Sequence, residues 1–98
     1  MNASRSHPKK PTLLLDEQVL GLDEFLRDLG WKTVKVKPSM TDDLVLSLAK
    51  ENGYVVISQD RKLLSRCRLQ DIRVVDIGFE DLARRVHQIL MRDFVAES

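Results

Sequence analysis

Ninety-eight residues give one domain with a single core and little surplus surface to bury. A formal net charge of +1 excludes a global field that would draw the chain to nucleic acid, so any basic attraction must be local. One cysteine, Cys67, excludes an internal disulfide and a thiol-paired zinc site, and no apolar run approaches the roughly 20 residues of a membrane span.

Residues 1–11 are polar, with Pro8, Pro11, Arg5, Lys9 and Lys10, and read as a flexible basic tail before a single domain over 12–98. They lack the apolar stretch of a signal peptide, so the cytoplasm is the expected compartment. Thr12 to Leu15 predicts a first strand ending in Asp16. Over residues 20–29, Leu22, Phe25, Leu26 and Leu29 recur at spacings of three and four, which predicts a helix with one apolar face, stopped by Gly30. Next, Val34 and Val36 alternate with Thr33, Lys35 and Lys37, the pattern of an edge strand with one wet face, and Pro38 closes it.

Thr41 is placed to cap a second helix, with Asp42 and Asp43 in its first turn and a buried stripe of Leu44, Leu48 and Ala49 running to Gly53. Tyr54 to Ile57 predicts a fully buried strand, followed by Ser58, Gln59 and Asp60. Residues 61–68 predict a short basic helix. Cys67 sits there near Lys62, Arg66 and Arg68 and reads as a partly buried small residue rather than a reactive thiol. Ile72 to Ile77 predicts a fourth strand. Residues 79–93 predict a last helix with Leu82, Val86, Ile89 and Leu90 on its apolar face.

Strict alternation of strands and helices predicts an α/β fold, a parallel four-stranded sheet with helices on both faces. Right-handed crossovers, three apolar strands and one half-wet strand together select the order 2-1-3-4. The binding crevice of such a sheet lies at the carboxyl ends of the strands, here between the first and third. Asp16, Asp60 and the pair Asp42 and Asp43 are delivered to that rim by three separate segments. Carboxylates gathered there repel unless a cation sits among them, and hard oxygen donors suit magnesium or manganese. Such an ion would polarise a phosphoryl oxygen and lower the pKa of a water, which points to phosphodiester hydrolysis. Arg61, Lys62, Arg66 and Arg68 just beyond Asp60 are candidate phosphate contacts. Each residue also has a plainer role available: a turn cap for Asp16, first-turn helix acids for Asp42 and Asp43, an N-cap for Asp60. Trp31 fits core packing better than base stacking. His7 and His87 fall far from the rim, which argues against a histidine-based site.

The stretches LLLDEQ at 13–18, TDDLVLSLAKENGYVVIS at 41–58 and SQDRKLL at 58–64 resemble the PIN-like nuclease superfamily, in its small VapC-like branch of predicted ribonucleases. The resemblance runs from residue 12 to about residue 77. It implies a three-layer α/β/α sandwich and a metal-dependent endoribonuclease. By that resemblance Asp16 is the first-strand ligand, Asp42 or Asp43 the middle acid, and Asp60 the acid of the Ser/Thr-x-Asp motif, with Ser58 holding its loop. It further implies Mg2+ or Mn2+, an RNA substrate, a homodimer, and an antitoxin or other protein partner. Many relatives carry another acid where this chain has Lys62; either Asp76 at the end of the fourth strand replaces it or the site has only three ligand segments, and Glu17, which also reads as solvent-facing, is a second-tier acid. That departure keeps open a non-catalytic binding module with a degenerate metal site. A receiver-like signalling domain also collects acids at this end of the sheet, but the chain is one βα unit short for it.

Overall fold

The computed structural model describes residues 10–95. The tail residues up to 9, His7 among them, lie outside the described residues. Four strands, β1 (Leu13–Leu15), β2 (Thr33–Lys35), β3 (Val55–Ser58) and β4 (Val74–Asp76), form one parallel sheet in the order β2-β1-β3-β4. The expected α/β architecture and strand order are thus observed. Leu14 pairs with Val34 on one side and Val56 on the other, so the apolar strands β1 and β3 occupy the centre and the half-wet β2 the edge. The segments are shorter than their apolar runs: β4 covers only Val74–Asp76 of the predicted 72–77.

Strand alternation divides the core in two. On one face Leu14, Val36 and Val56 pack against Val45, Leu46 and Ala49 of α2 (Asp42–Asn52) and Leu63 and Cys67 of α3 (Arg61–Leu69). Of the predicted stripe on α2, Ala49 is buried and Leu48 packs against the core, but Leu44 is half exposed, and Val45 and Leu46 turn inward in its place. The Thr41 hydroxyl accepts from Leu44 N–H at 3.2 Å, as a cap should. Gly53 closes α2 at φ 68°, a left-handed conformation that favours glycine.

On the other face Leu13, Leu15, Val55 and Ile57 pack against Val19, Leu20, Leu22 and Leu26, with Trp31 partly buried beside them. Lys10 lies 5.0 Å above the Trp31 ring. Residues 20–29 do not form the single helix expected. A 3-10 helix, Glu17–Leu22, kinks at Val19 and is followed by a short α1, Asp23–Asp28. Of the predicted apolar face Leu22 and Leu26 turn inward, whereas Phe25 and Leu29 are 68% and 71% exposed.

The cause is Asp23, which is buried and anchors a polar knot. The Thr33 hydroxyl donates to its Oδ1, Arg27 Nε donates to Oδ2 at 3.1 Å, and Lys35 Nζ stands 3.8 Å away. Satisfying that buried carboxylate sets the rotation of α1. The Thr33 hydroxyl, then Arg27 and the nearby Lys35 charge, hold the Asp23 pKa below the ordinary aspartate value, against the opposing effect of burial.

The last helix, α4 (Phe79–Asp93), has its predicted length, but none of its residues is buried. No helix among the described residues is long and apolar enough to cross a membrane.

Candidate active site

Parallel pairing places the ends of β1 and β3 side by side, and the residues that follow meet there. Asp16 N–H donates to the Ile57 carbonyl at 3.1 Å, carrying the ladder one residue past β1. The Asp16 side chain is buried at the rim. Its Oδ1 accepts Glu17 N–H at 2.9 Å and starts the 3-10 helix, and its Oδ2 accepts the Ser58 hydroxyl at 2.7 Å. The Ser58 Oγ also accepts Asp60 N–H at 2.8 Å. Ser58 is fully buried, and this hydroxyl is the pin between two strand ends whose acids lie 44 positions apart in sequence. The loop-holding role expected of Ser58 is therefore observed.

Asp60 itself caps α3. Its Oδ1 accepts from Lys62 N–H at 2.9 Å and Leu63 N–H at 3.3 Å. One oxygen serves the helix, which leaves Oδ2 without a hydrogen bond among the described residues. Asp16, Ser58 and Asp60 thus form one continuous hydrogen-bonded unit at the point where strand order reverses. Among the described residues no fully buried side-chain nitrogen or oxygen lacks a partner, and within the unit the part-buried Asp60 Oδ2 is the oxygen left without a hydrogen bond.

Asp42 and Asp43 do not join it. They sit at the start of α2, 53% and 83% exposed, and face Arg66 of α3. The guanidinium bonds Asp43 Oδ1 through Nη2, and its Nη1 lies 3.9 Å from Asp42 Oδ2. Asp43 raises the Arg66 pKa above its usual value, with smaller help from Asp42. The basic residue expected to contact phosphate is here the counter-charge of the middle acids. Arg61, Lys62 and Arg68 remain exposed. Glu17 is exposed beside Asp16. Asp76, in register with Ser58, uses Oδ1 to accept Gly78 N–H at 3.0 Å and so shapes the turn after β4. His87 lies exposed on α4. Burial raises the Cys67 thiol pKa despite the nearby Arg66 and Arg68 charges, in keeping with an inert core residue.

The fit to a metal divides into two parts. The donor chemistry, carboxylate oxygen throughout, suits a hard divalent ion. The placement does not: among the described residues no three histidine, cysteine, aspartate or glutamate side chains are grouped to hold a metal. The expected grouping of acids from three segments is not seen among the described residues, where Asp42 and Asp43 face Arg66.

The pairing of Arg66 with Asp43 is not legible in the sequence, because spacing along α3 does not reveal which neighbouring helix start it meets. The Asp23 network with Thr33, Arg27 and Lys35 lies outside the Asp16–Ser58–Asp60 unit.

No curated protein and no solved structure matches the chain. Residues 11–96 match the Mut7-C RNAse domain, which covers most of the chain and all of its strands. The match supports a ribonuclease-type domain of PIN-like architecture without singling out the VapC branch. The chain belongs to the Mut7-C RNAse domain family.

Proposed function

We propose that this domain is an endoribonuclease that hydrolyses RNA phosphodiester bonds at the carboxyl ends of β1 and β3. The observation that carries this reading is the Asp16–Ser58–Asp60 unit, set at the crevice of the sheet in a chain of an RNAse domain family. Ser58 fixes Asp16 in orientation, and Asp60 caps α3 through Oδ1, which leaves Oδ2 without a hydrogen bond among the described residues. A held carboxylate at a rim suits general-base activation of a water, which contributes typically 10²–10⁴-fold to rate. Arg61 and Lys62, exposed one and two residues beyond Asp60, are placed on the chain to hold the phosphate and neutralise charge as the bond breaks.

Mg2+ or Mn2+ is the cofactor this donor set would select. Asp16 and Asp60, with Asp42 or Asp43, are the residues that would hold it. Because the described residues are not grouped for an ion, no step is routed through one.

The test is cleavage of single-stranded RNA with manganese present and with chelator. It compares the parent chain with Asp16→Asn and Asp60→Asn. The reading expects at least a hundredfold loss in both variants. Equal rates in all three chains would remove the catalytic assignment.

A second reading, a non-catalytic nucleic-acid-binding module with a degenerate metal site, is favoured by one observation: Arg66 neutralises the middle acids. RNA binding without turnover by the parent chain, with or without metal, would select it.

A further inference from the structure

The helix α4 is amphipathic and unpartnered. Phe79, Leu82, Val86 and Leu90 form one stripe at helical spacing and are between 44% and 81% exposed. The same chain carries an uncovered counter-surface. Val75 pairs with Ile57 in the sheet and shares its face, yet it is 44% exposed, because α1 and the 3-10 helix leave the β4 side of that layer open. Phe25 and Leu29 of α1 add exposed apolar surface to the same layer.

The departure of α4 is built, not frayed. Only Ile77 and Gly78 connect it to β4. Ile77 N–H donates to the Ser58 carbonyl at 3.1 Å, and Gly78 N–H donates to Asp76 Oδ1. A side chain at Gly78 would crowd that same Asp76 oxygen at 3.2 Å. The outcome is an extended molecule: the radius of gyration is 16.7 Å, against about 13 Å for a compact chain of this length.

We infer that α4 is exchanged between two copies of this chain, each helix covering the open β4 side of its partner's sheet. Three observations select a second copy over other occupants. Both apolar surfaces belong to this chain, so one two-fold operation covers them together. A short, fixed connection favours exchange over folding back. The helix α4 is balanced in charge, with three acids and three arginines, and Arg84 pairs with Glu80 and Asp81 and Arg92 with Asp93. It therefore offers no basic strip for a phosphate backbone or an anionic membrane. Reciprocal exchange withdraws on the order of 1,000 Å² of apolar surface from water; because roughly 56–65% of an interface is apolar, this corresponds to a total within the about 1,200–2,000 Å² that stable dimers bury. This assignment is independent of the hydrolytic reading and stands or falls separately from it.

The experiment uses the full chain. Light scattering on a size-exclusion column, run over a concentration series, is expected to give a dimer. Val86→Asp, an exposed substitution, is expected to give a monomer with unchanged far-ultraviolet circular dichroism. A mixture of chains carrying Val75→Cys with chains carrying Val86→Cys is expected to form a disulfide-linked heterodimer on oxidation; Cys67 is buried and does not compete. A monomeric parent overturns the inference. So does an intramolecular crosslink in the Val75→Cys/Val86→Cys double variant without covalent dimer, which would mean that α4 closes on its own sheet. Crosslinking of Val86→Cys chains to one another but not to Val75→Cys chains also overturns it, since the helices would then pair side by side.

Discussion

The two faces of the sheet are built to different standards. On the face covered by α2 and α3, Leu14, Val56, Leu63 and Cys67 are almost wholly withdrawn from water, and two helices close the layer. On the other face the 3-10 helix and the six-residue α1 cover the β1 and β3 region only, Val75 stays open, and the long α4 stands clear. Both faces bury a core, the first under α2 and α3 and the second, around Leu15, Val19 and Ile57, under the 3-10 helix and α1. The second holds the polar knot at Asp23 and leaves apolar surface for a neighbour. The Asp16–Ser58–Asp60 unit lies at the rim between them, on the two central strands. Its precision therefore comes from the well-packed strands and not from the incomplete layer.

This contrast can be broken by substitution. The largest effect is expected at Leu14, where Ala removes a fully buried side chain from the central strand and costs about 2–5 kcal/mol. Leu82→Ala on α4, measured where the chain is monomeric, should stay within about 0.5 kcal/mol. Comparable losses at the two positions in urea unfolding would mean that α4 is packed in the monomer. Next comes Ser58→Ala. It removes the only side-chain donor to the buried Asp16 Oδ2 among the described residues and should cost about 1–3 kcal/mol. Activity should fall further than stability, because the carboxylate loses its orientation.

The Asp23 knot sharpens the comparison through pH. Its folded pKa is lowered, so folding favours the charged form. That contribution is fully present above the unfolded aspartate value near ~3.9 and is lost as pH falls through the folded value. Asp23→Asn should be less stable than the parent near neutrality, and the gap should close as the solution is acidified below ~3.9. A gap that stays constant over that range would remove Asp23 from the account. A small effect on stability is also expected from Arg66→Ala, because exposed ion pairs contribute about 0–1 kcal/mol. Its informative readout is metal affinity. Freeing Asp42 and Asp43 should tighten manganese binding in calorimetry, and unchanged binding would show that these acids are not ligands.

Much of this was legible in the sequence. Unbroken apolar runs at β1 and β3 and alternation around Val34 and Val36 are enough to place the central and edge strands. The pinned loop at Ser58 is implied by the resemblance of SQDRKLL to the Ser/Thr-x-Asp motif and not by the spacing alone. What the sequence concealed is rotation and partnership. The stripe on α1 depends on whether Leu22 or Phe25 faces the sheet, and a buried carboxylate at Asp23 decides it, with partners four, ten and twelve positions away. The periodicity of α4 reveals an apolar face but not what covers it. Arg66 and Asp43 are 23 positions apart, and only the packing of α2 beside α3 brings them together.

The location of the site can be tested most directly by titrating single-stranded RNA into an isotope-labelled Asp16→Asn chain and following its backbone amides by nuclear magnetic resonance. The largest shifts should fall on Glu17, Gln59, Asp60, Arg61 and Lys62, at the carboxyl ends of β1 and β3. Shifts confined to Lys10, Lys32 and Arg73 at the opposite end of the sheet, or no shifts at all, would contradict the account.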